Sequence, residues 1–519
     1  MLSTSTLVQG LAALFVFYYV ISSAITWRRL RAFKGPFLAS FSYIWIVRVL
    51  STGRHGELLQ PILGKQTTTR IGPNELLTSD LDLIRRMHGA RKFYPRSNWY
   101  SLNRLVPGED SMFSLVDTVA HDKIKAQTTS GYNGKDVPEL EANVDAMLAT
   151  MVEKIRSKYA ADPSDPPKTP KPSLDMAEMA HFFTLDSIMK ISFGENFGFI
   201  DTESDPYGHI DMLLEMVPFA TCLSAIPPVA RIMTTPWIYK LFVPDGENVK
   251  GVFKIMRVTR PIVAKRFLPH APPRNDMLAS FIRHGLSESQ CNNEAILQVM
   301  AGSDTTATAI RATLLFILTS PRVYHTLQSE IDLAILNNKI SAPISLAEAT
   351  NLPYLQAVIL EGLRIHPPFN GFPFKEVPPG GDYIDGKFVP EGTRIAADFV
   401  TFPRLKSIFG EDADVFRPER WLPPSWRVGG PPVEECEWGE GGKERVAEMR
   451  RTVDLVFGYG RFACAGKWVA FLELNKVFVE LLRYFDFQVV DPTKPWESKN
   501  YSLHMQKHMW LRAELRRQG

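Results

Sequence analysis

Cysteine is scarce. Only four occur in 519 residues, at Cys222, Cys291, Cys436 and Cys464, with no CxxC pair and no clustered histidine beside them. That spacing excludes a disulfide framework and a structural zinc site, both of which need their ligands close together in patterned sets. Charge of one sign is lacking as well: 59 Lys and Arg nearly balance 56 Asp and Glu, for a net charge of +3, too weak to mark a nucleic-acid-binding protein. No internal repeat occurs, and no Gly-rich flavin or nicotinamide fingerprint is present.

Charged side chains are also missing from residues 1–27. Within that stretch, residues 7–26 (LVQGLAALFVFYYVISSAIT) supply about the twenty residues needed to cross a bilayer core, and Arg28, Arg29, Arg31 and Lys34 follow at once. Basic charge on the C-terminal flank predicts a transmembrane helix with the body of the chain on the cytosolic side. A cleaved signal peptide is the alternative, given the small residues 22–24, but the basic n-region of such peptides is absent. The expected organisation is an anchor over 1–27, a basic and proline-bearing linker over 28–40, and one large domain over 41–519. Within it, the proline-rich stretch 162–172 and the Gly/Glu-rich stretch 428–442 read as surface loops, because apolar periodic segments continue beyond both.

What is present is enough apolar material for a large core, 45% of residues, arranged mostly at helical spacing. Ser320-Pro321 marks a helix start with proline in the first turn, running to Leu336. A second start at Asn351–Pro353 opens a helix with Leu355, Val358, Ile359 and Leu363 on one stripe, ending before Pro367-Pro368. Strands are expected only near 67–71 and 386–395. The fold class predicted is mainly α with a small β region.

Three segments carry chemistry. In 457–466 (FGYGRFACAG), Gly458 and Gly460 permit a tight backbone before Cys464, and Gly466 permits close approach of a flat ligand. A long apolar helix follows at once, so Cys464 stands just before a helix N-terminus, where backbone N–H groups favour a thiolate. An inert buried cysteine is the alternative for this residue alone. In 301–306 (AGSDTT), small residues and then a carboxylate and hydroxyls interrupt an apolar helix expected over 295–318. Hydroxyls there can bond back to the backbone and open a kink; a helix N-cap is the alternative. Glu361 and Arg364 (EGLR) share a helix face, with FRPERW at 416–421 downstream; a solvated surface pair is the alternative.

In this order, the segments resemble the cytochrome P450 family, whose cysteine loop reads Phe-Gly-x-Gly-x-Arg-x-Cys-x-Gly. YPRSNWY (94–100) and SGYNGK (130–135) further resemble fungal, microsomal members similar to pisatin demethylase. The resemblance implies a haem-thiolate monooxygenase of the endoplasmic reticulum membrane, single-pass with a cytosolic catalytic domain. It implies haem b (iron protoporphyrin IX) ligated by Cys464 and cradled by Phe457, Gly458, Arg461, Gly466 and Ala301. Asp304 would relay protons, and Thr305 would steady the oxygen species on the iron. His121 and Lys125, one turn apart in HDKIK, would reach the haem propionates. In this chain the basic residue of the loop falls at Arg461 and Phe462 fills the slot two before the cysteine, so propionate anchoring leans on Arg461, Lys125 and His121. Glu361, Arg364 and Arg420 would form a buried structural cluster.

The implied partners are an NADPH-cytochrome P450 reductase, dioxygen, the membrane and a lipophilic small molecule, with no nucleic acid. Segments 99–105, 299–305, 368–374 and 501–505 would border the substrate, with Phe369, Phe372 and Phe374 its apolar wall. The product would belong to fungal secondary metabolism. Ring rearrangement, ring expansion or desaturation stands as the alternative outcome, and a non-catalytic haem carrier or a haem-free scaffold as alternatives of another class.

Overall fold

The computed structural model describes residues 4–89, 94–104, 106, 108–164, 170–233, 235–239 and 251–516. Leu105 of one expected substrate segment and residues 165–169 of the proline-rich loop lie outside the described residues. The elements that build the site are α1 (Thr4–Arg29), β1 (Thr68–Gly72), β2 (Glu75–Thr78), α2 (Leu81–His88), α3 (Thr118–Tyr132), α4 (Met176–Phe193), α5 (Glu288–Leu318), α6 (Pro353–Ile365), β3 (Lys375–Glu376), β4 (Arg394–Ala397), α7 (Lys467–Tyr484), β5 (Glu497–Tyr501) and β6 (Leu503–Lys507).

Local sequence explains the helix limits. Ser287 opens α5 with a capping box: its hydroxyl accepts from Gln290 N–H at 3.3 Å, while Gln290 Oε1 accepts from Ser287 N–H at 2.9 Å. This start is earlier than the 295 expected, because the polar first turns of α5 are still helical. Asp117 and Asp175 cap α3 and α4 by accepting from Ala120 and Ala177 N–H. The proline-led helix Pro321–Leu336 and α6 form where their signals placed them. α5 passes through the middle of the molecule, packed against α4, α6 and α7. One continuous core joins them, including Phe183, Leu314, Val358, Phe478 and Leu481.

The β region is small, as expected. One sheet has the order β1-β2-β4-β3, with β2 and β4 parallel and the other pairs antiparallel. β5 and β6 form an antiparallel hairpin in register Tyr501↔Leu503.

The expected anchor requires correction. Among the described residues no helix is long and apolar enough to cross a membrane. The transmembrane helix over 7–26, and with it single-pass placement in the endoplasmic reticulum membrane, is therefore not supported. The side chains of α1 supply the physical reason. Gln9 and Gly10 interrupt the apolar run, and the last turns are engaged with protein. Tyr19 and Ser23 hydroxyls donate to the Phe41 carbonyl at 3.0 and 3.3 Å. The carbonyls of Thr26 and Trp27 accept from the Arg70 guanidinium at 3.0 and 3.3 Å. The C-terminal end of the helix is thereby tied to protein.

Candidate active site

The cysteine loop is a tight double turn. Gly458 and Gly460 take φ of +76° and +59°, and a Cβ on Gly460 would stand 2.5 Å from the His88 carbonyl at the end of α2, so only glycine fits there. The loop closes on itself where Cys464 N–H donates to the Phe457 carbonyl at 2.7 Å. The Phe457 ring packs on Phe471 of α7, with centroids 5.5 Å apart. The Cys464 thiol is exposed while Cys291 and Cys436 are buried. It is nonetheless surrounded by protein deeply enough that burial pushes it up; the Gly466 and Lys467 amides and the Lys125 ammonium oppose that shift. The sulfur therefore faces an interior opening with donors already aimed at it. A Cβ built on Gly466 would meet only that sulfur, at 4.0 Å, so the glycine leaves room beside the thiol.

Lys125 lies under the loop and donates to the carbonyls of Arg461 and Ala463 at 2.7 and 2.6 Å. Its charge reaches the sulfur through the loop that it braces. Asp122 gathers the other two expected basic groups: His121 Nδ1 donates to it at 2.9 Å and Arg461 Nη1 lies 3.2 Å away. His121 is buried, and burial together with nearby Arg96 lowers it to about 4.

Two further cations face the loop that sequence reasoning missed. Arg96 and Lys375 are backbone partners in an isolated antiparallel bridge, and both are buried. Arg96 Nη1 donates to the carbonyls of Met112, Phe113 and Leu115, but its Nε has no acceptor. Among the described residues Lys375 Nζ has none either, and burial with the nearby Arg96 and Arg461 charges lowers it well below the usual lysine range, a shift that an arriving anion would oppose. The available signal was a lone basic residue inside each apolar run, YPRSNWY and FPFKEV.

On α5, Ala301 is exposed and Thr305 half-buried, while Ser303, Asp304 and Thr306 are buried. At i and i+4 they share one face, so the helix presents an open notch at its centre. Thr305 Oγ1 donates to the Ala301 carbonyl and Ser303 Oγ to that of Val299, both at 2.7 Å; the expected back-bonding is present within a helix that runs on without interruption to Leu318. Gly302 faces Ile188 of α4. Glu473, on α7, is enclosed against Thr306, and burial raises its carboxyl to about 8, holding it as a neutral acid at pH 7.

Asp304 points away from the notch. Its Oδ1 lies 3.4 Å from Arg311 Nη2, two turns on along the same helix face, and its Oδ2 has no partner. Burial pushes the carboxyl up, and Arg311 opposes the shift. Beside it lies a cavity of about 130 Å³ bordered by Glu178, His181, Asp211, Arg311 and Gln506. His181 Nε2 and Gln506 Oε1 are also unpartnered, so the space is polar and roomy enough for water.

Behind His181 stands His209, edge to face at 6.2 Å. Neither of its ring nitrogens has a partner among the described residues, and burial lowers it to about 4. An imidazole depressed from about 6.5 stays neutral in the fold while the unfolded chain takes up a proton. Stability is therefore full above the unfolded value and lost as pH falls toward 4, by about 2 kcal/mol at pH 5. His209→Phe removes that loss: between pH 7 and pH 5 its urea midpoint falls less than that of the parent protein. Equal falls would contradict the assignment.

The expected structural cluster is present. Glu361 accepts from Arg364 Nε and Nη2, Arg420 Nε and the Arg417 amide, all at 2.8 Å, and from Trp421 Nε1 at 2.9 Å. Arg420 also donates to the carbonyls of Phe409, Asp412 and Val415, so both guanidinium groups are tied to the loops that follow α6. Of the three phenylalanines expected to wall the substrate, Phe372 and Phe374 are enclosed in a core with Trp99 and Tyr100. Phe369 is half-buried and bridges Leu503 of β6.

Comparison with known proteins agrees with these features. The Cytochrome P450 family model matches residues 59–511. Cytochrome P450 monooxygenase ABA1 of Pyricularia oryzae is 43% identical over 514 residues, 98% of this chain and 97% of that protein. Cytochrome P450 monooxygenase aba1 of Botryotinia fuckeliana is 39% identical over 486 residues, 93% of this chain and 92% of that one. Pisatin demethylase of Fusarium vanettenii is 27% identical over 482 residues, 91% and 87% of the two chains. Membership of this family implies a haem cofactor, a reductase that supplies electrons, and the use of dioxygen. With a family match across most of its length and full-length kinship to fungal monooxygenases, the chain belongs to the cytochrome P450 family and is a haem-thiolate monooxygenase.

Proposed function

We propose that Cys464 Sγ ligates the iron of haem b, held between the cysteine loop and the notch at Ala301 and Thr305 on α5, and that residues 41–519 form the catalytic unit. The observation that carries this reading is the pair of enclosed cations beside the loop. Arg96 and Lys375 are buried, and among the described residues no carboxylate hydrogen-bonds to either, a costly arrangement unless an anion arrives. The two propionates of haem b supply that anion, with His121 and Arg461 completing the set. Phe457, Gly458 and Gly466 shape the wall around the sulfur, and Lys125 braces it from behind. When bound, the haem supplies dioxygen activation, and its iron keeps the coordinating thiol ionised against the burial that otherwise raises it.

The chain's own residues handle the proton and the substrate. Asp304 takes up a proton at its carboxylate from water on the cavity side, where Arg311 holds it, and delivers that proton to the notch by turning its side chain away from Arg311. Thr305, at the notch, offers the hydroxyl that receives it. Phe369 and Leu503 exclude water from the substrate side. The substrate is a lipophilic small molecule of fungal secondary metabolism, of polyketide, terpenoid or peptide-hybrid type. Electrons come from an NADPH-cytochrome P450 reductase, since no flavin or nicotinamide fingerprint occurs in the sequence.

Reconstitution with reductase, NADPH, heavy dioxygen and fungal metabolite extracts tests this reading by mass spectrometry. The expected product carries one oxygen atom from dioxygen. Loss of two hydrogens with no oxygen gained would point to desaturation, and the absence of any spectral shift with such extracts would count against the substrate class. Asp304→Asn keeps the shape but cannot give up a proton. Its product formation drops about a hundredfold while NADPH consumption continues into hydrogen peroxide; unchanged yield per NADPH would remove Asp304 from the proton route.

A further inference from the structure

Phe462 occupies the loop position two before the cysteine, and its surroundings are unusual for a phenylalanine. Lys375 Nζ stands 3.1 Å from the centre of its ring and Arg96 Cζ 4.9 Å. His121 packs against it with centroids 5.0 Å apart, and His88 meets it edge to face at 6.2 Å. Four basic side chains thus converge on one aromatic ring. Both cations also lie over Tyr100, Arg96 at 4.3 Å and Lys375 at 5.3 Å. Among the described residues no carboxylate hydrogen-bonds to either side chain, and Lys375 Nζ lies against the faces of two rings, Phe462 and Tyr100.

We propose that Phe462 is a positioning residue for the cofactor, a cation–π platform that orders Lys375 and Arg96 toward the haem carboxylates. The negative face of the ring offsets part of the repulsion between two cations held side by side by their backbone bridge. It has no hydrogen-bonding group of its own, so the Lys375 Nζ and Arg96 Nε donors, which have no acceptor among the described residues, stay available to the propionates. A basic residue at 462 would add a third positive charge to the same enclosed space. The aromatic residue instead allows the two cations to come from β3 and from the 94–100 segment, outside the cysteine loop.

This inference rests on haem binding at Cys464, and the experiment separates the two. Haem transfer to apomyoglobin is followed in the parent holoprotein, in a variant carrying 3,4,5-trifluorophenylalanine at 462, and in Phe462→Leu and Lys375→Met. Fluorination keeps the shape of the ring but weakens its negative face. Haem loss is expected to be about tenfold faster in the leucine variant and intermediate in the fluorinated one. The ferric/ferrous potential should fall in Lys375→Met, because a positive charge near the cofactor is removed. If the fluorinated protein loses haem at the parent rate, the ring only fills space and the proposal is overturned. If the parent protein takes up no thiolate-ligated haem, it is the ligand assignment that fails. Should the leucine variant not fold, the fluorinated protein alone decides between ring electrons and ring volume.

Discussion

Replacing Cys464 by serine abolishes the thiolate-type carbon monoxide band and reduces product formation to background. The loss follows from the position of the sulfur. It is the group at the interior opening of the loop, with the Gly466 and Lys467 amides already directed to it, and a serine hydroxyl in that place is too weak an acid to serve as an anionic ligand. The fold itself should survive, because Cys464 contributes little to the core: the loop is held by the Cys464 amide on the Phe457 carbonyl and by Lys125 on two loop carbonyls, none of which uses the thiol. Unchanged circular dichroism with a lost thiolate band is the expected pair of results. A serine variant that kept the thiolate band would show that another residue ligates the iron, and Cys291, buried within α5, would have to be considered.

Glu361→Gln is expected to cost about 3–5 kcal/mol, enough to leave little folded protein at 37 °C. Two guanidinium groups, at Arg364 and Arg420, are fully enclosed and share this carboxylate. Glutamine keeps the volume but replaces one charged acceptor with an amide donor that faces arginine donors. The damage would spread because Arg364 and Arg420 also hold the carbonyls of Pro403, Phe409 and Val415, fixing the chain between β4 and the cysteine loop. Soluble yield and thermal midpoint check this. A variant with parent stability and reduced turnover would move Glu361 from a structural role to the chemistry.

Much of this was legible in sequence where the signal was local. Prolines in the first turn set the starts of Pro321–Leu336 and α6, β-branched segments beside Gly and Pro mark β1 and the neighbourhood of β4 but not β2, β3 or the β5–β6 hairpin, and the glycines of the cysteine loop take the tight backbone expected of them. The burial of Glu361 and Arg364 follows from the family resemblance, carried by their place between AGSDTT and the cysteine loop with FRPERW after them, and Trp421 and Arg420 do pack on that carboxylate. What was not legible depends on contacts between distant segments. Arg96 and Lys375 meet through a backbone bridge between the 94–100 segment and β3, and no spacing rule anticipates it. Lys125, expected at the propionates, gives two of its three donors to loop carbonyls, a contact that its spacing from His121 does not reveal. Phe372 and Phe374 looked like a pocket wall, and they lie in a core. The same holds at the end of α1, where Tyr19 and Ser23 bond to the Phe41 carbonyl and the carbonyls of Thr26 and Trp27 accept from Arg70.

The central claim is that the sulfur of Cys464 is bonded to iron. Resonance Raman spectroscopy of the ferric protein, made once with ordinary and once with heavy-sulfur cysteine, tests it directly. An iron–sulfur stretching band that moves to lower frequency with the heavy isotope, and is absent from Cys464→Ser, is the expected result; a band indifferent to the isotope, or an iron–imidazole band in its place, would contradict it.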